Sequence, residues 1–534
     1  MIGETVNGAA PAMSTPPPAL PELGDLIERS EWLRGQAGLE GEVLRWHRSL
    51  GAERERIVGE AEELATPRLR RIPFGALFLL CIRFLWFSLA ALIGRFAFLG
   101  GSRRRCRGDT PRPPGRRRDP SATGSVESTA VRRSKHLVQA GGPAYVKLGQ
   151  LIATAKGALP DEWTEAFAWC RDEVPPLRRG VAEDVIDAEL GHRRAETFES
   201  IDPKPVAAAS IAQVHLARLA DGTEVAVKVQ RPGLRQRFEA DIRALSVIAL
   251  VADKVSKRVR IANLPGFVEL FAQLVLEELD FRLEAMNMTE IGLANEDAGL
   301  DHVRVPRPIP GLVTTRVLVM ERVPGIRYTD AAIAYPELDG PRIVRLAVQG
   351  VLEHALLYGV FHGDLHAGNV LIDEAGNFSL VDYGIAGRLD ASQRAALVRL
   401  VIGFARNDFA GQVTAVAELG ALPPGIDLAP LVRQFAEEST VMLAALDRPL
   451  SQLDFGMLAA QVSRATRLLA EHRFRQPKEL FLFSKNMIYL NGLCNAFAPD
   501  INLMSEIAPV FLYFQTKYPK EIAQIVMGSF LSPP

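Results

Sequence analysis

The stretch VFHGDLHAGNVLID, residues 360–373, places two histidines, two glycines, an aspartate and an asparagine between apolar runs. Its histidines, His362 and His366, are four residues apart, the spacing that puts two imidazoles on one face of a helix in zinc hydrolases. Gly363 and Gly368 disfavour a helix here, and no glutamate follows His362 to act as a general base. The pattern therefore favours a loop over a zinc-binding helix.

The segment after this loop predicts a β-hairpin. VLIDEAGNFSLVDYG, residues 370–384, has two short apolar runs split by Glu-Ala-Gly-Asn, and it delivers Asp382 just before a glycine. Phosphoryl transfer needs hard oxygen ligands for Mg²⁺ and a carboxylate near the attacking group. We expect Asp364 to be that carboxylate, and Asn369 and Asp382 to supply the metal ligands. This order of residues is typical of the lower half of a kinase active site.

Such a site needs an upstream lysine, and DGTEVAVKVQRPG, residues 221–233, provides one. Three valines alternate here with Ala, Lys and Gln after an Asp-Gly turn, which predicts a strand. Lys228 on this strand is expected to reach the α and β phosphates of a nucleotide. VLVMERVPG, residues 317–325, predicts a buried strand that leads into the hinge between two lobes. Nucleotide-pocket residues are expected there at Met320, Glu321 and Val323.

Two features depart from the pattern of protein kinases. Where a glycine-rich phosphate loop would be expected, residues 205–215 read PVAAASIAQVH and contain no glycine. Alanine methyls restrict the backbone, so this loop should hold phosphates differently. Its predicted nucleotide-binding residues are Ala207, Ala208, Ala209 and Ser210. Second, a capped helix is predicted at 390–406, directly after DYGIAGRL, so the activation segment that would bind a peptide is absent from the sequence.

Three further motifs resemble the UbiB/ADCK group of atypical kinases. They are YVKLGQLIATAKGALPDEW at 145–163, the alanine-rich loop, and EELDFRLEAMN at 277–287. The likeness extends over roughly residues 130–400. It implies an α+β fold, namely a bilobal protein-kinase-like fold with an N-terminal helical extension and an all-α C-terminal region. ATP or ADP and Mg²⁺ are the cofactors that it implies.

The resemblance also assigns roles to the two additional motifs. Lys147, Gly149 and Gln150 are similar to the family's Lys-x-Gly-Gln motif, which folds over the nucleotide pocket as a regulatory lid. Lys147 would then pair with the carboxylates of the Glu-x-Asp motif, here Glu278 and Asp280. The same resemblance implies a pair between Glu284 and Lys228. We expect Glu277, in contrast, to lie on a solvated face.

The catalytic loop differs from the family's usual His-Ala-Asp-x-His-Pro-Gly-Asn. Gly363 and Ala367 replace the alanine and the proline, a change toward small-molecule kinases of the aminoglycoside and choline type. Tyr383 replaces the usual phenylalanine and adds a hydroxyl that needs a partner if it is buried. Three classes of function stay open: an atypical kinase or ATPase acting in lipid or isoprenoid quinone metabolism, a kinase for a soluble small molecule, and a nucleotide-binding scaffold.

Composition indicates an intracellular chain of several segments. Its 534 residues can bury a large core, and four cysteines without paired spacing favour a reducing compartment. The formal net charge is −1, and no aromatics alternate with the arginines of the basic linker, so we expect no nucleic-acid partner. A homodimer stays open. The predicted segments are a disordered Pro-rich tail (1–20), a helical segment (21–65), a hydrophobic helix (72–100), a basic linker (101–128), a helical extension (130–200), an N-lobe (201–325), and a C-lobe with C-terminal helices (326–534).

The hydrophobic helix at 72–100 predicts membrane association. From Phe74 to Ile93 the chain is long enough to cross a bilayer, and Arg83 is its one charged residue. An arginine at mid-helix costs about 2.5–3.5 kcal/mol on insertion scales, which nearly balances the gain from the apolar residues. We therefore expect this helix to lie in or on the cytoplasmic leaflet, with arginines at anionic headgroups. The protein would be cytoplasmic and held at the inner face of the cell membrane.

Overall fold

The structure is a computed structural model. It describes residues 23–67, 75, 143–154, 166–167, 170, 175–191, 193–255, 263–406, 408–422, 425–446 and 477–523. The predicted tail, the basic linker and, apart from Gly75, the hydrophobic helix at 72–100 lie outside these residues. Within the described ranges, no helix is both long enough and apolar enough to cross a membrane.

Helices and strands are numbered here in chain order. The strands are β1 Phe198–Ile201, β2 Ala207–Ala208, β3 Ala212–Leu219, β4 Glu224–Gln230, β5 Val303–Arg304, β6 Pro308–Val313, β7 Val317–Glu321, β8 Ile326–Arg327, β9 Val360–His362, β10 Val370–Ile372, β11 Phe378–Leu380 and β12 Ala386–Arg388. The α-helices are α1 Leu23–Arg29, α2 Glu31–Arg34, α3 Leu39–Ala65, α4 Pro143–Thr154, α5 Val181–Leu190, α6 Arg193–Thr197, α7 Leu234–Val255, α8 Leu264–Glu278, α9 Phe281–Asp297, α10 Tyr328–Ala334, α11 Gly340–Glu353, α12 Ala391–Arg406, α13 Phe409–Glu418, α14 Leu428–Leu446, α15 Lys478–Phe497 and α16 Leu503–Lys517.

The N-lobe is built on an antiparallel sheet in the order β1-β3-β4-β7-β6, with β2 paired to β3. Side chains of β4 alternate between its two faces, as the sequence predicts. Val225, Val227 and Val229 are fully buried in one cluster with residues of α5, so this helix covers the outer face of the sheet. The opposite face carries Lys228, which pairs in register with Leu318 of β7 and faces α9.

The N-terminal helices pack against α8 and α9. Leu33, Leu39 and Val43 share a buried cluster with Leu293 of α9. Arg54 of α3 forms an ion pair with Glu290 of α9, at 3.4 Å. These helices therefore support the helix that carries Glu284.

The C-lobe surrounds two small sheets. The hairpin predicted after the loop is confirmed, because β10 and β11 pair antiparallel within the order β5-β11-β10-β8. A second pair joins β12 to β9, which leads into the loop that begins at Gly363. Helix α11 continues into one π-helical turn, His354–Tyr358, and packs against α15 and α16.

The chain enters α12 immediately after β12. Only Leu389 and Asp390 separate the two elements, and the Asp390 carboxylate accepts a hydrogen bond from the backbone N–H of Gln393 at 2.8 Å. The capped helix predicted at this point is confirmed, and no activation segment intervenes. The α+β kinase-like fold with N-terminal and C-terminal helices is confirmed as well.

Candidate active site

Lys228 lies at the centre of the cleft between the lobes. Its ammonium group donates to Glu284 of α9 at 2.7 Å and to Asp382 at 2.8 Å. The same nitrogen lies 5.4 Å from the centroid of the Phe281 ring. The pair expected between Lys228 and Glu284 is therefore present, and the lysine also connects the two lobes.

One lysine between two carboxylates leaves excess negative charge. Burial raises the pKa of Glu284 to about 7, against the opposing effect of Lys228. Burial disfavours the charge of Asp382, but the attraction and hydrogen bond of Lys228, together with Lys147 and His366, outweigh burial and hold its pKa well below the usual range. The pKa of Lys228 is raised, because the two carboxylates outweigh its burial. Of the two carboxylates, Glu284 is therefore the one that takes up a proton first as the pH falls.

Asp382 is the acid of this group that faces the open cleft. Its side chain is 46% exposed, whereas that of Glu284 is 2% exposed. The backbone at Asp382 is left-handed, with φ of +63°, which is costly for a residue other than glycine. This conformation aims the carboxylate toward the cleft, where it suits a hard cation such as Mg²⁺.

Asp364 follows β9, and the buried ring of His362 holds its backbone. The Nδ1 atom of His362 accepts from the backbone N–H of Asp364 at 3.0 Å, so Nε2 carries the proton and donates to the Val381 carbonyl at 3.2 Å. Burial lowers the pKa of His362 to about 4, so the ring is neutral. His366 instead accepts from the backbone N–H of Gly368. Residues 363–369 form a loop and not a helix, as predicted.

Asn369 joins the loop to the segment that carries Asp382. Its amide nitrogen donates to the Asp364 carbonyl at 2.9 Å, and its own carbonyl accepts from the backbone N–H of Val381 at 3.0 Å. The amide oxygen is the atom that could then coordinate a cation. An amide oxygen and a carboxylate held in one cleft form a donor set that fits Mg²⁺.

Helix α4, called the lid below, brings Lys147 to this cleft. Its ammonium donates to Glu278 at 2.7 Å, while Gly149 is buried and Gln150 donates to the Cys170 carbonyl at 2.9 Å. The pairing expected with Asp280 is not what the structure shows. Asp280 caps the N-terminus of α9 and binds Arg282, because a carboxylate at that position satisfies free backbone N–H groups.

The pKa of Lys147 is influenced by three acids of the cleft, which shows that the lid helix lies close to them. Burial lowers the pKa of Lys147, but Glu278, Asp364 and Asp382 raise it, and the net shift is upward. Burial raises the pKa of Glu278, although Lys147 opposes this. A Cβ atom on Gly384 would lie 3.2 Å from Cγ of Glu278, so the Glu-x-Asp motif rests directly on the Asp-Tyr-Gly turn.

The alanine-rich loop is a tight turn between β2 and β3. The backbone N–H of Ala209 donates to the Ala212 carbonyl at 2.8 Å, and Ser210 is buried. Arg231, which the sequence did not single out, donates from Nε to the Ala209 carbonyl at 2.9 Å and from its other end to the Pro175 carbonyl at 2.7 Å. The loop is therefore tied to the extension that precedes the sheet. Its other predicted members are Ala207 and Ala208, which form β2.

At the hinge, Met320 is buried and Val323 is half-buried. The carboxylate of Glu321 is held by Arg307 at 2.6 Å. Glu321 can therefore offer a nucleotide its backbone more readily than its side chain.

Two features of the loop region follow from close packing. A Cβ atom on Gly363 would lie 2.8 Å from Cγ2 of Ile385 and 2.9 Å from its carbonyl oxygen. There is no room for the alanine that is usual in the family. Tyr383 is fully buried, its ring meets His362 edge-on at 4.9 Å, and its hydroxyl has no hydrogen-bond partner in the described part of the chain.

Helix α15 supplies residues that the sequence reasoning missed. Lys485 forms an ion pair with Asp364 at 2.8 Å, and its side chain is 7% exposed. Glu277, expected to be solvated, is instead buried and paired with Lys478 at 2.6 Å. The available signal was a lone lysine among apolar residues in FLFSKNMIYL, residues 481–490, since such a lysine needs a charged partner when it is buried.

Comparison with known proteins identifies related chains. A family model described as "ABC1 atypical kinase-like domain" matches residues 170–416. An uncharacterised protein of Mycobacterium tuberculosis is 37% identical over 374 residues, which cover 68% of this chain and 74% of that protein. A Pseudomonas putida protein named "Probable protein kinase UbiB" is 32% identical over 377 residues, or 69% of this chain and 68% of that one. The chloroplastic protein Activity of BC1 Complex Kinase 8 of Arabidopsis thaliana is 35% identical over 55% of this chain and 39% of its own length.

Proposed function

The chain belongs to the ABC1 atypical kinase-like family, in which relatives carry the UbiB name, and we propose that it binds Mg²⁺ with ATP or ADP in this cleft and turns over ATP. The observation that carries the proposal is the double pairing of Lys228 with Glu284 and Asp382. The lysine then lies where it can reach the α and β phosphates, while Asp382 and Asn369 face the same cleft. Bound Mg²⁺ would neutralise phosphate charge.

The residues divide the chemistry between them. Asp364 accepts the proton of the attacking water or hydroxyl as its oxygen bonds to the terminal phosphorus. The bond from that phosphorus to the bridging oxygen breaks, and the leaving nucleotide takes the electron pair. Because the transition state is loose, Asp364 acts mainly by orienting the nucleophile, so a carboxylate with a low pKa serves this role.

We propose that the acceptor, where there is one, is a lipid or isoprenoid-type molecule at the inner face of the cell membrane. Two observations support this proposal: the helix that the family resemblance places over the peptide entrance is tied to Glu278 through Lys147, and β12 leads directly into α12 without a peptide-binding segment. The apolar residues 72–100 and their flanking arginines support a membrane location. A role in isoprenoid quinone metabolism is in keeping with the UbiB name of the relatives.

Nucleotide binding is tested with Asp382→Asn, which removes an anionic ligand without a change in volume. We expect wild-type protein to show a thermal shift with ATP or ADP that requires Mg²⁺, and the variant to lose it. Asp373→Asn is a matched control, because Asp373 is an acid of the β10–β11 turn that binds Asn377. An Mg²⁺-dependent shift that persists in Asp382→Asn refutes the metal assignment.

The membrane proposal is tested by replacing residues 72–100 with a Gly/Ser linker of equal length. This change leaves α1–α3 in place, which matters because α3 is bound to α9. We expect the variant to leave the membrane fraction and to lose any stimulation of ATP hydrolysis by anionic vesicles, while Mg²⁺-nucleotide binding persists. The second candidate is a small-molecule kinase, which Gly363 of the loop supports. It would be favoured if the rate of ATP hydrolysis does not change with vesicles but rises with a soluble hydroxyl compound.

A further inference from the structure

Helix α15 holds the loop of Asp364 at consecutive positions. Lys485 pairs with the carboxylate of Asp364. Asn486, which is fully buried, accepts from the backbone N–H of Leu365 and donates to the carbonyl of His362. The backbone on both sides of Asp364 and its side chain are therefore fixed by a helix that lies more than a hundred residues further along the chain.

Two other lysines of the cleft, Lys228 and Lys147, form ion pairs with carboxylates other than Asp364. Lys228 is shared by Glu284 and Asp382, and Lys147 is bound to Glu278. Within the loop, the residue two positions after Asp364 is His366, whose Nδ1 accepts from the backbone N–H of Gly368. The cation in direct contact with the Asp364 carboxylate is thus supplied by α15.

We propose that Lys485 is a positioning residue for the reaction, which fixes the direction of the Asp364 carboxylate toward the nucleophile. The inference rests on the proposed function, because it assigns Asp364 to the attacking group. Pairing at Oδ1 leaves Oδ2 to accept the hydrogen of the water or hydroxyl.

The electrostatics of Asp364 agree with this geometry. Burial alone would raise the pKa of Asp364, but Lys485, together with His366 and Lys147, lowers it to about 2. Lys485 is the largest of the influences that oppose burial, as expected for the cation in direct contact with the carboxylate.

A purely structural ion pair on the same helix provides the matched control. Lys478 is as buried as Lys485 and pairs with Glu277, which touches neither the nucleophile nor the metal ligands. Lys485→Met and Lys478→Met should therefore destabilise the fold to a similar extent in urea unfolding. Only Lys485→Met should lower kcat for ATP hydrolysis.

The experiment measures steady-state ATP hydrolysis and Mg²⁺-nucleotide titrations for both variants. For Lys485→Met we expect kcat to fall at least 100-fold with KM for ATP within threefold. Lys485→Arg, which keeps the charge, should recover most of the loss. Lys478→Met should keep the wild-type kcat and KM.

Lys485→Gln provides the neutral variant if Lys485→Met does not fold. Equal kcat values for Lys485→Met or Lys485→Gln and for Lys478→Met would overturn the inference and leave the proposed function standing. Wild-type protein that binds no Mg²⁺-nucleotide would refute the proposed function, and this inference with it.

Discussion

Two regions outside the kinase-like core each bring a lysine to an acid of the cleft, and they do so in different ways. The lid contributes Lys147 to Glu278, an acid whose pKa is raised by burial. Helix α15 contributes Lys485 to Asp364, an acid whose pKa is lowered to about 2. Burial therefore favours the neutral form of Glu278, whereas Asp364 is held in its charged form. We interpret the lid as the adjustable side of the site and α15 as its fixed side.

The largest difference between the two pairs should appear when Asp364 and Glu278 are neutralised one at a time. Asp364→Asn should lower ATP turnover about 10²–10⁴-fold, because the nucleophile loses its proton acceptor. Glu278→Gln should change nucleotide affinity several-fold and leave turnover of the bound nucleotide within about tenfold, since Glu278 holds the lid and not the nucleophile. Steady-state hydrolysis and nucleotide titrations separate the two. A Glu278→Gln variant as slow as Asp364→Asn would end the distinction between a fixed and an adjustable side.

A second test is a double-mutant cycle on the lid. Lys147→Ala and Glu278→Ala each leave one buried charge without its partner. Each should therefore lower the free energy of nucleotide binding or of unfolding by about 3 kcal/mol or less. The double variant should cost no more than either single change, because residues in direct contact are not additive. Nucleotide titrations of the three variants check this. Additive losses would mean that Lys147 and Glu278, which are 2.7 Å apart, have no interaction free energy.

The pH dependence of stability should differ for two buried acids of the cleft, Glu284 and Asp364. Burial raises the pKa of Glu284 to about 7, so its contribution to stability is complete below its ordinary value of 4.5 and is lost as the pH rises through about 7. Asp364 contributes above its ordinary 3.8 and loses this contribution as the pH falls to about 2. Each effect should amount to about 2–3 kcal/mol.

Urea unfolding between pH 2 and 8 measures both limbs. Glu284→Gln should flatten the decline near pH 7, and Asp364→Asn should flatten the decline in acid. If neither substitution changes the pH dependence of the free energy of unfolding, the charge states assigned to Glu284 and Asp364 are wrong.

The smallest expected effect concerns Tyr383, which lies between the two sides. Its buried hydroxyl has no hydrogen-bond partner among the described residues, and burial raises its pKa well above 10. Tyr383→Phe should therefore stabilise the protein by about 1 kcal/mol, because it removes an unsatisfied polar atom and keeps the ring against His362. Thermal or urea unfolding would reveal it, and a clear loss of stability would show that the hydroxyl has a partner.

The sequence predicted the parts of the site that lie in short motifs. Lys228 could be recognised from strand alternation, and Asp364, Asn369 and Asp382 from a loop followed by a hairpin, since each signal is local. The fold class followed from the order of these motifs. The pairs Lys228–Glu284 and Lys147–Glu278 came from the family resemblance.

The remaining contacts depend on tertiary packing between distant segments. Whether Lys147 meets Glu278 or Asp280 is decided by the start of α9, where Asp280 is used as a helix cap. Glu277 is buried only because Lys478 arrives from α15. Lys485 has no motif around it, and nothing in the sequence near residue 485 states that Asp364 is its neighbour.

The position of α15 in the chain also limits where the protein can be shortened. The family model ends at residue 416, a natural place to cut an expression clone. A chain ending there would retain every recognisable motif and would lose Lys478, Lys485 and Asn486 together. Its purified product would expose Glu277 and the underside of the Asp364 loop. Inactivity of such a fragment would therefore reflect the chosen boundary, and screening of ligands or substrates requires a chain that includes α15.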